Sequence, residues 1–323
     1  MPLNERSLIE RYFKGCGATR TDVPLGVGDD AALLDCPDGM QLVAAMDTLV
    51  CGIHFLEGSN PTSIGHRALA VNLSDIAAMG AEPAWALLAL TLPNADESWL
   101  QSFATGLGML AKKHKVALVG GDTTSGPLCI TVQVLGHAPR PAKMLRSGAK
   151  PGDILFVSGT PGDAAAGLAL EKGQLPGTPA EADAYLRHRF LFPTPRVELG
   201  QHLRQYASAC IDVSDGLLGD ASKLADASAC GITLNYEQLP ISTQLTSAVG
   251  DTRARELALT GGDDYELCFA VPQANIDRLN RDLPAAQWGY GPIGVLRDGQ
   301  GAVVTRGGIV MDFSHSGFDH FGS

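Results

Sequence analysis

The hydrophobic pattern divides the chain into short apolar runs and longer amphipathic segments. Helical spacing of apolar positions predicts helices at residues 5–13, 61–79, 98–113, 164–170, 197–206 and 217–229. Short apolar runs predict strands at residues 41–46, 85–92, 116–119, 130–134, 154–157, 209–213 and 265–271. Residues 189–196 contain two prolines and are predicted to be extended. Because strands and helices alternate, the sequence predicts a mixed protein of the α+β or α/β class.

A segment rich in Pro, Gly and Lys, residues 136–151, separates two groups of predicted elements. We place a domain boundary there, with an N-terminal domain of residues 1–137 and a C-terminal domain of residues 138–323. The chain has 323 residues, so each domain is long enough to bury its own core. With 45% apolar and 18% charged residues, the composition is that of a globular protein.

Acidic residues recur at the ends of the apolar runs. At residues 116–124 an apolar run leads through Gly120 and Gly121 to Asp122, which is predicted to lie at a strand end. Oxygen ligands on a tight glycine loop suit Mg²⁺, which proteins hold with one or two carboxylates together with substrate phosphates. An ordinary turn gives the same short pattern. The pattern is repeated at Asp30, Asp47, Asp75, Asp212, Asp215 and Asp263. This repetition favours one convergent acidic site.

The spacing of two motif pairs favours a duplication of one half of the chain. Asp75 of a Ser-Asp pair lies 47 residues before Asp122 of a Gly-Gly-Asp motif. Asp215 of a second Ser-Asp pair lies 48 residues before Asp263 of a second Gly-Gly-Asp motif. Because both motifs are short, a chance match is the alternative.

Charge and cysteine content exclude several classes of protein. The formal net charge of −11 argues against nucleic acid, whose binding needs clustered Lys and Arg. Seven widely spaced cysteines without a C-x-x-C pair argue against a zinc site and indicate reduced thiols. The first residues lack the apolar core of a signal peptide, and the longest apolar run, residues 84–92, is too short to span a membrane. We therefore expect a cytoplasmic protein without nucleic-acid or membrane partners.

The acidic motifs and their neighbours resemble the thiamine-monophosphate kinase family. The resemblance is carried by GVGDDAA (26–32), MDTLVCGIHF (46–55), NLSDIAAMGAEP (72–83), GGDTT (120–124), RSGAKPGD (146–153), DVSDGL (212–217), GGDDYEL (261–267) and GFDHF (317–321). The motifs follow the family order over nearly the whole chain. The third is shared with the wider aminoimidazole-ribonucleotide-synthetase-like superfamily. The His-Phe pair of the second and the terminal aromatic segment point to the thiamine branch.

That resemblance implies ATP-dependent phosphorylation of thiamine monophosphate to thiamine diphosphate with several Mg²⁺ ions. It also implies a two-domain aminoimidazole-ribonucleotide-synthetase-like fold and a homodimer whose N-terminal sheets pair across a two-fold axis. The N-terminal domain would bind ATP and metal, and the C-terminal α/β domain would complete the active site. The acceptor phosphate is already anionic. No acid or base residue is therefore assigned, and catalysis would rest on positioning and charge neutralisation.

The resemblance also assigns site residues. The magnesium ligands would be Asp30, Asp47, Asp75, Asp122, Asp212 and Asp215. ATP would contact Gly121, Asp122, Arg146 and Ser214. His54 would approach the substrate phosphate, Asp263 would meet the aminopyrimidine and Phe318 would stack on the thiamine. From the residues alone, His54 also fits a core histidine, Arg146 a solvated linker charge and Phe318 a docked tail.

The chain departs from the family pattern in three places. Ala45 and Met46 stand where hydroxyl residues are common, so only backbone carbonyls could bind metal there. Asp263 stands where Glu is common, and the family's ATP-contacting Tyr is absent near residues 103–105. The alternatives are another ATP-dependent enzyme of the superfamily, such as a purine cyclase or a selenophosphate synthetase, or a non-catalytic acidic metal-binding protein.

Overall fold

The computed structural model describes residues 4–140, 144–313 and 317–318. The chain forms two compact units. The first comprises Met1–Ile76 and Ala81–Ala142, and the second comprises Ala77–Gly80 and Lys143–Ser323. Within the described residues, no helix combines the length and the apolar character needed to cross a lipid bilayer.

The first unit is a four-stranded sheet that packs one face against two long helices. Its elements in chain order are α1 (Glu5–Leu8), a π-helical turn (Ile9–Phe13), β1 (Met40–Val50), α2 (Pro61–Ala78), β2 (Glu82–Leu92), α3 (Glu97–Lys113), β3 (Ala117–Ser125) and β4 (Cys129–Pro139). The strand order is β1-β4-β2-β3, with β2 and β3 parallel and the other neighbours antiparallel. Leu69 and Leu107 of the helices line one small apolar cavity together with Leu88, Leu118 and Val132 of the sheet.

Glycine lets the two helices approach each other closely. A Cβ atom on Gly65 would lie 2.1 Å from the carbonyl oxygen of Phe103, and one on Gly106 would lie 1.9 Å from that of Thr62. The helices therefore contact each other through their backbones, and no larger residue fits at either position. This contact fixes α2, which carries Asp75, against α3.

The second unit is a seven-stranded sheet with helices around it. Its strands are β5 (Ile154–Ser158), β6 (Ala209–Val213), β7 (Gly231–Asn235), β8 (Glu266–Val271), β9 (Tyr290–Arg297), β10 (Ala302–Arg306) and β11 (Ile309–Met311). Its helices are α4 (Asp163–Glu171), α5 (Ala180–Leu191), α6 (Val197–Leu203), α7 (Leu217–Ala227), α8 (Thr243–Val249), α9 (Asp251–Thr260), α10 (Gln273–Asp282) and α11 (Ala285–Trp288), with a 3₁₀ turn at Tyr236–Gln238. The strand order is β11-β10-β7-β9-β5-β8-β6.

The main core of the second unit lies between the sheet and α7. Leu217, Ala221 and Leu224 of α7 are fully buried in one cluster with Ile211 of β6 and Ala270 of β8. Every residue of β6 is buried, as expected for the apolar run that predicted it. This packing fixes the loop between β6 and α7, which carries the second predicted Ser-Asp pair.

The mixed fold class is confirmed, whereas two local predictions are wrong. Helix α5 continues to Leu191, so the first part of the segment 189–196 is helical and only the part around its prolines is not. The duplication is not supported by local structure: Asp75 lies inside helix α2, but Asp215 lies in a loop. Asp122 lies inside strand β3, but Asp263 precedes β8. The equal spacings therefore do not mark equivalent positions.

Candidate active site

A groove of about 1340 Å³ lies on the first unit, and two of the predicted acidic residues line it. Asp30 enters it from the loop before β1, and Asp122 from β3. Both are exposed. Thr131 and Gln133 of β4 line the same groove. The groove thus offers carboxylate, hydroxyl and amide oxygens, a donor set that suits a hard cation and a polyphosphate.

The Gly-Gly-Asp motif of this groove lies within a strand, so the prediction that Asp122 ends a strand is wrong. Strand β3 runs to Ser125, and its pairing with β2 shifts by one residue between Ala86 and Leu87. A Cβ atom on Gly121 would lie 1.8 Å from the carbonyl oxygen of Leu88. Glycine is therefore required where the irregular strand lies against β2. In the sequence, Gly120 and Gly121 after the apolar run suggested that the strand ends there, because the shift in strand pairing cannot be read from the sequence.

Asp47 and Asp122 lie on different strands and opposite faces of the sheet. In the register, Asp47 aligns with Val132 and Asp122 with Thr131. Neighbouring positions along a strand face opposite sides. Asp47 therefore shares the helix-covered face with Val132, and Asp122 shares the groove face with Thr131. Because three strand spacings separate β1 from β3, the backbones are about 14 Å apart. Within one unit, these two predicted ligands do not meet at one ion.

Asp75 projects from the interior of helix α2 and is partly buried. Asn72, one turn earlier, is fully buried, and its amide donates to the carbonyl of Ala68 at 3.2 Å. The helix runs through both residues, so they share a face as the three-residue spacing predicts. Asp75 and Asp47 are the predicted ligands associated with the helix-covered side of the sheet.

His54 is held in a tight turn after β1. Its Nδ1 accepts the backbone N–H of Val50 at 3.0 Å, and its own N–H donates to the carbonyl of Val50. Because Nδ1 acts as an acceptor, neutral His54 carries its proton on Nε2. The imidazole is therefore a hydrogen-bond donor on the side away from the turn. It is partly exposed, which argues against the alternative of a fully buried core histidine.

In the second unit, the loop between β6 and α7 is organised by one buried carboxylate. Asp220, in the first turn of α7, accepts the backbone N–H groups of Ser214, Asp215 and Gly216 at 3.0, 3.0 and 3.2 Å. Its other oxygen accepts Lys223 at 2.8 Å. Burial raises the pKa of Asp220, and Lys223 opposes that shift. Because one side chain holds three successive N–H groups, Ser214 and Asp215 are fixed in position.

The second Gly-Gly-Asp loop pairs with this β6–α7 loop. The N–H of Asp263 donates to the carbonyl of Ser214, and that of Tyr265 donates to the carbonyl of Val213, both at 2.8 Å. Asp263 and Tyr265 have φ values of 72° and 53°, a conformation that non-glycine residues adopt at a cost. The Tyr265 hydroxyl donates to Asp263 Oδ1 at 3.1 Å. Strained backbone here maintains a defined direction for the Asp263 side chain.

The C-terminal segment reaches the same loop. The N–H of Phe318 donates to the carbonyl of Asp215 at 2.9 Å, and the Phe318 side chain is 55% exposed. Residues 319–321 of the terminal motif lie outside the described residues. The structure thus brings together four of the predicted site residues of this unit: Ser214, Asp215, Asp263 and Phe318. Asp212 lies two residues before Ser214, within strand β6, and is buried.

Arg146 lies at the other end of β6. Its carbonyl accepts the hydroxyl of Ser228, and the preceding carbonyl, of Leu145, accepts the N–H of Cys210. Ser214 follows the opposite end of this five-residue strand, about 16 Å away. The structure therefore does not bring Arg146 together with Ser214. Its side chain is exposed, as the alternative of a solvated linker charge predicts.

Sequence analysis did not assign a buried network behind the second Gly-Gly-Asp loop. Asp264 accepts the N–H groups of Gly162 and Ala164 and so caps helix α4. Glu266 accepts Arg189 at 2.8 Å and Arg196 at 2.6 Å. Burial would raise the pKa of Glu266, but the two guanidinium groups outweigh burial and lower it. The three carboxylates within residues 263–266 were the available signal, since such a density of negative charge needs cationic or backbone N–H partners.

The sequence also gave no role to Lys223. Its ammonium lies 2.6 Å from Asp215 Oδ2 and 2.8 Å from Asp220 Oδ1. Burial would lower the pKa of Lys223, but the hydrogen bonds to Asp215 and Asp220 outweigh that effect and raise it. Asp220 and Lys223 are three residues apart in α7, a spacing that becomes informative once the helix start at Leu217 is known.

The predicted carboxylates fit magnesium in chemistry, although they do not form a ready-made cluster. Across residues 4–140, 144–313 and 317–318, no three His, Cys, Asp or Glu side chains are grouped so that they could hold a metal ion. Magnesium needs only one or two carboxylates when substrate phosphates and water supply the remaining oxygens. Asp30 and Asp122 in the first unit and Asp215 in the second are accessible enough to serve in that way.

Family and structure comparisons identify the relatives of the chain. Residues 28–138 match the family described as AIR synthase related protein, N-terminal domain, and residues 150–307 match its C-terminal domain. The thiamine-monophosphate kinase of Salmonella typhimurium is 47% identical over 99% of both chains. The thiamine-monophosphate kinase structure from Stenotrophomonas maltophilia is 43% identical, covers 94% of this chain and 97% of that one, and superposes with a TM-score of 0.84.

A further solved structure is described as AaThiL complexed with AMPPCP and TMP. It is 34% identical, covers 91% of this chain and 92% of that one, and has a TM-score of 0.79. These matches confirm the resemblance stated from the sequence motifs and the two-domain fold class. On this evidence of fold and sequence, the chain belongs to the thiamine-monophosphate kinase family, within the AIR synthase related proteins.

Proposed function

We propose that this protein phosphorylates thiamine monophosphate to thiamine diphosphate with ATP, the last step of thiamine diphosphate biosynthesis. The observation that carries the proposal is the similarity, over 91% of the chain, to AaThiL complexed with AMPPCP and TMP. The positions named by the family motifs support it, because Ser214, Asp215, Asp263 and Phe318 lie at one pair of loops. The groove with Asp30 and Asp122 provides oxygen ligands on the first unit.

The proposed reaction is direct in-line transfer of the γ-phosphoryl group onto the phosphate of thiamine monophosphate. The acceptor oxygen is anionic near neutral pH, so no general base is needed. The work of the protein is to position the two phosphates and to neutralise their charge. His54, a donor through Nε2, is proposed to contact the substrate phosphate. Asp263 is proposed to accept from the aminopyrimidine, and Phe318 to stack on the thiamine.

Magnesium, when bound, would offset the repulsion between the two anionic phosphates. We propose that Asp30, Asp47, Asp75 and Asp122 of the first unit and Asp212 and Asp215 of the second bind the metal ions. Gly121, Asp122, Arg146 and Ser214 are proposed to contact ATP. The fixed backbone at Gly121 and Ser214 supports their assignment more strongly than the exposed side chain of Arg146 supports its own.

We also propose that the protein is a cytoplasmic homodimer. Leu42 and Met46 are 55% and 64% exposed on one face of the edge strand β1. An exposed apolar strand of this kind is commonly covered by another chain. Light scattering would then give about twice the chain mass of 33.8 kDa. A mass of one chain at working concentration would contradict the dimer.

The function is tested with purified protein, ATP and Mg²⁺, by comparing thiamine monophosphate with thiamine as acceptor. We expect ADP release with the monophosphate alone and a product with the mass of thiamine diphosphate. Release with neither acceptor, from folded protein that still binds ATP, would exclude this reaction and favour another ATP-dependent reaction of the superfamily. Divalent-ion binding without any affinity for ATP would favour a non-catalytic metal-binding protein.

A further inference from the structure

Lys223 is a cation placed on a proposed magnesium ligand. Its ammonium bridges Asp215 at 2.6 Å and Asp220 at 2.8 Å. The two carboxylates differ in what else binds them. Asp220 is 1% exposed and already accepts three backbone N–H groups, whereas the Asp215 side chain is 39% exposed. Asp220 is therefore committed to the fold, and Asp215 is the partner that can exchange its cation.

We propose that Lys223 competes with a divalent cation for Asp215 and thereby sets the magnesium concentration that the enzyme requires. The inference rests on the proposed function, since it takes Asp215 as a metal ligand. It assigns a regulatory and positioning role to a residue of α7 that the family motifs do not include. When metal binds Asp215, Asp220 retains the ammonium, so Lys223 need not leave the loop.

The strength of the pair is suited to competition. An ion pair with side chains 45% and 39% exposed is weak, because water screens it and both side chains lose freedom. A divalent ion together with phosphate oxygens can therefore displace the ammonium from Asp215. The remaining positive charge nearby still weakens metal binding. Removing it is expected to lower the half-saturating Mg²⁺ concentration about five-fold.

The exchange also keeps the carboxylate oriented before metal arrives. Three backbone N–H groups fix the loop, and Lys223 holds the Asp215 side chain in one direction. Without a resident cation, Asp215 would lie beside buried Asp220 with no charge between the two carboxylates. Lys223 thus prevents their repulsion in the metal-free protein.

The test compares wild-type protein with Lys223→Met, which keeps the apolar stem, and Lys223→Arg, which keeps the charge. Lys172→Met, at an exposed position after helix α4, is the matched control. The melting temperature is measured at fixed AMPPCP over a series of Mg²⁺ concentrations, and the half-saturating concentration is read from each curve. Circular dichroism establishes that each variant is folded. Thiamine monophosphate phosphorylation is measured separately.

We expect a half-saturating Mg²⁺ concentration about five-fold lower for Lys223→Met and unchanged for Lys223→Arg and Lys172→Met. An unchanged or higher value for Lys223→Met overturns the proposal, since Lys223 would then not compete for Asp215. A lower value for Lys223→Arg also overturns it. If Lys223→Met does not fold, Lys223→Gln replaces it as the charge-removing variant, with the same expected decrease of about five-fold. If wild type is inactive while the five-fold shift is seen, the proposed function fails and the competition stands. If the wild type is active but the half-saturating Mg²⁺ concentration of Lys223→Met does not shift, the proposed function stands and the competition fails.

Discussion

The acidic residues that line the groove of the first unit differ from the buried carboxylates of the second unit in whether the fold depends on them. In the first unit, Asp30 and Asp122 are exposed, and their side chains make no hydrogen bond or ion pair within the described ranges 4–140, 144–313 and 317–318. In the second, Asp220 and Glu266 are buried and saturated with backbone, lysine or arginine donors. A carboxylate that forms no hydrogen bond within the fold is available to bind a ligand. One that is fully bonded instead supports its neighbours.

The first way to test this contrast is to remove the most deeply bonded charge. Glu266→Gln would remove the one carboxylate that accepts both Arg189 and Arg196, and would leave Arg189 only its longer contact of 3.9 Å with Asp163. We expect the free energy of unfolding at pH 7 to fall by about 3–5 kcal/mol, as for other broken buried ion pairs. Urea unfolding measures the loss, and Glu198→Gln, at an exposed position of α6, is the control. A loss equal to that of the control would contradict a structural role.

The same comparison predicts a pH dependence. The folded-state pKa of Glu266 is lowered, so its contribution to stability is present above the unfolded pKa of about 4.3. It is lost as the pH falls through the lower folded value. Below about pH 4.5, the stability of the wild type should therefore decrease toward that of Glu266→Gln. A constant difference between the two proteins from pH 7 to pH 3 would exclude this linkage.

Asp122→Asn is the corresponding change in the first unit. The side chain is exposed and unbonded among the described residues, so stability should hardly change. We expect kcat/KM for thiamine-monophosphate phosphorylation to fall about a hundredfold or more, because a metal and phosphate contact is lost. Steady-state kinetics at saturating ATP and Mg²⁺ measure the effect, with Asp38→Asn in an exposed turn as the control. Wild-type turnover would remove Asp122 from the proposed site.

Gly121→Ala tests whether the backbone, rather than a side chain, shapes the first unit's groove. The added Cβ would lie 1.8 Å from the carbonyl oxygen of Leu88, so strands β2 and β3 must move apart. We expect a loss of about 2 kcal/mol of stability together with weaker ATP binding. Gly58→Ala is the control, since it has a φ of +79° with open space around it. It should lose only about 1 kcal/mol and keep ATP affinity.

The contrast also explains how far the sequence could predict the site. The Ser-Asp and Gly-Gly-Asp motifs located the two loops of the second unit. These loops are short, and a backbone hydrogen bond from Asp263 to Ser214 joins them. The same kind of motif misplaced Asp122, which lies within a strand whose register shifts at Leu87. Register also separates Asp47 from Asp122 across the sheet, and no pattern along one strand reveals register.

Long-range partners were the second limit of the sequence. Arg189 and Arg196 were read as part of an extended segment, but they bind Glu266, 77 and 70 residues away. Such pairs depend on how the sheet is ordered, which composition and periodicity do not show. Lys223 lies nearer its partners, but its role depends on where helix α7 begins. The fold class needed only the alternation of elements and was predicted correctly.

The smallest predicted effect concerns how the second unit directs Asp263. Tyr265→Phe removes the hydroxyl that donates to Asp263 Oδ1 at 3.1 Å and leaves the backbone bonds of both residues in place. We expect KM for thiamine monophosphate to rise about three- to five-fold with kcat unchanged, because one hydrogen bond is worth about 1 kcal/mol.

Tyr206→Phe is a matched control for this change, since its hydroxyl donates to Asp282 at 3.0 Å in the same unit. Both variants should lose a similar amount of stability, but Tyr206→Phe should keep the wild-type KM. An equal rise of KM in both would mean that general loosening of the unit is responsible. No rise in either would mean that the strained backbone alone directs Asp263, and that this half-buried loop, once folded, needs no further support from side chains.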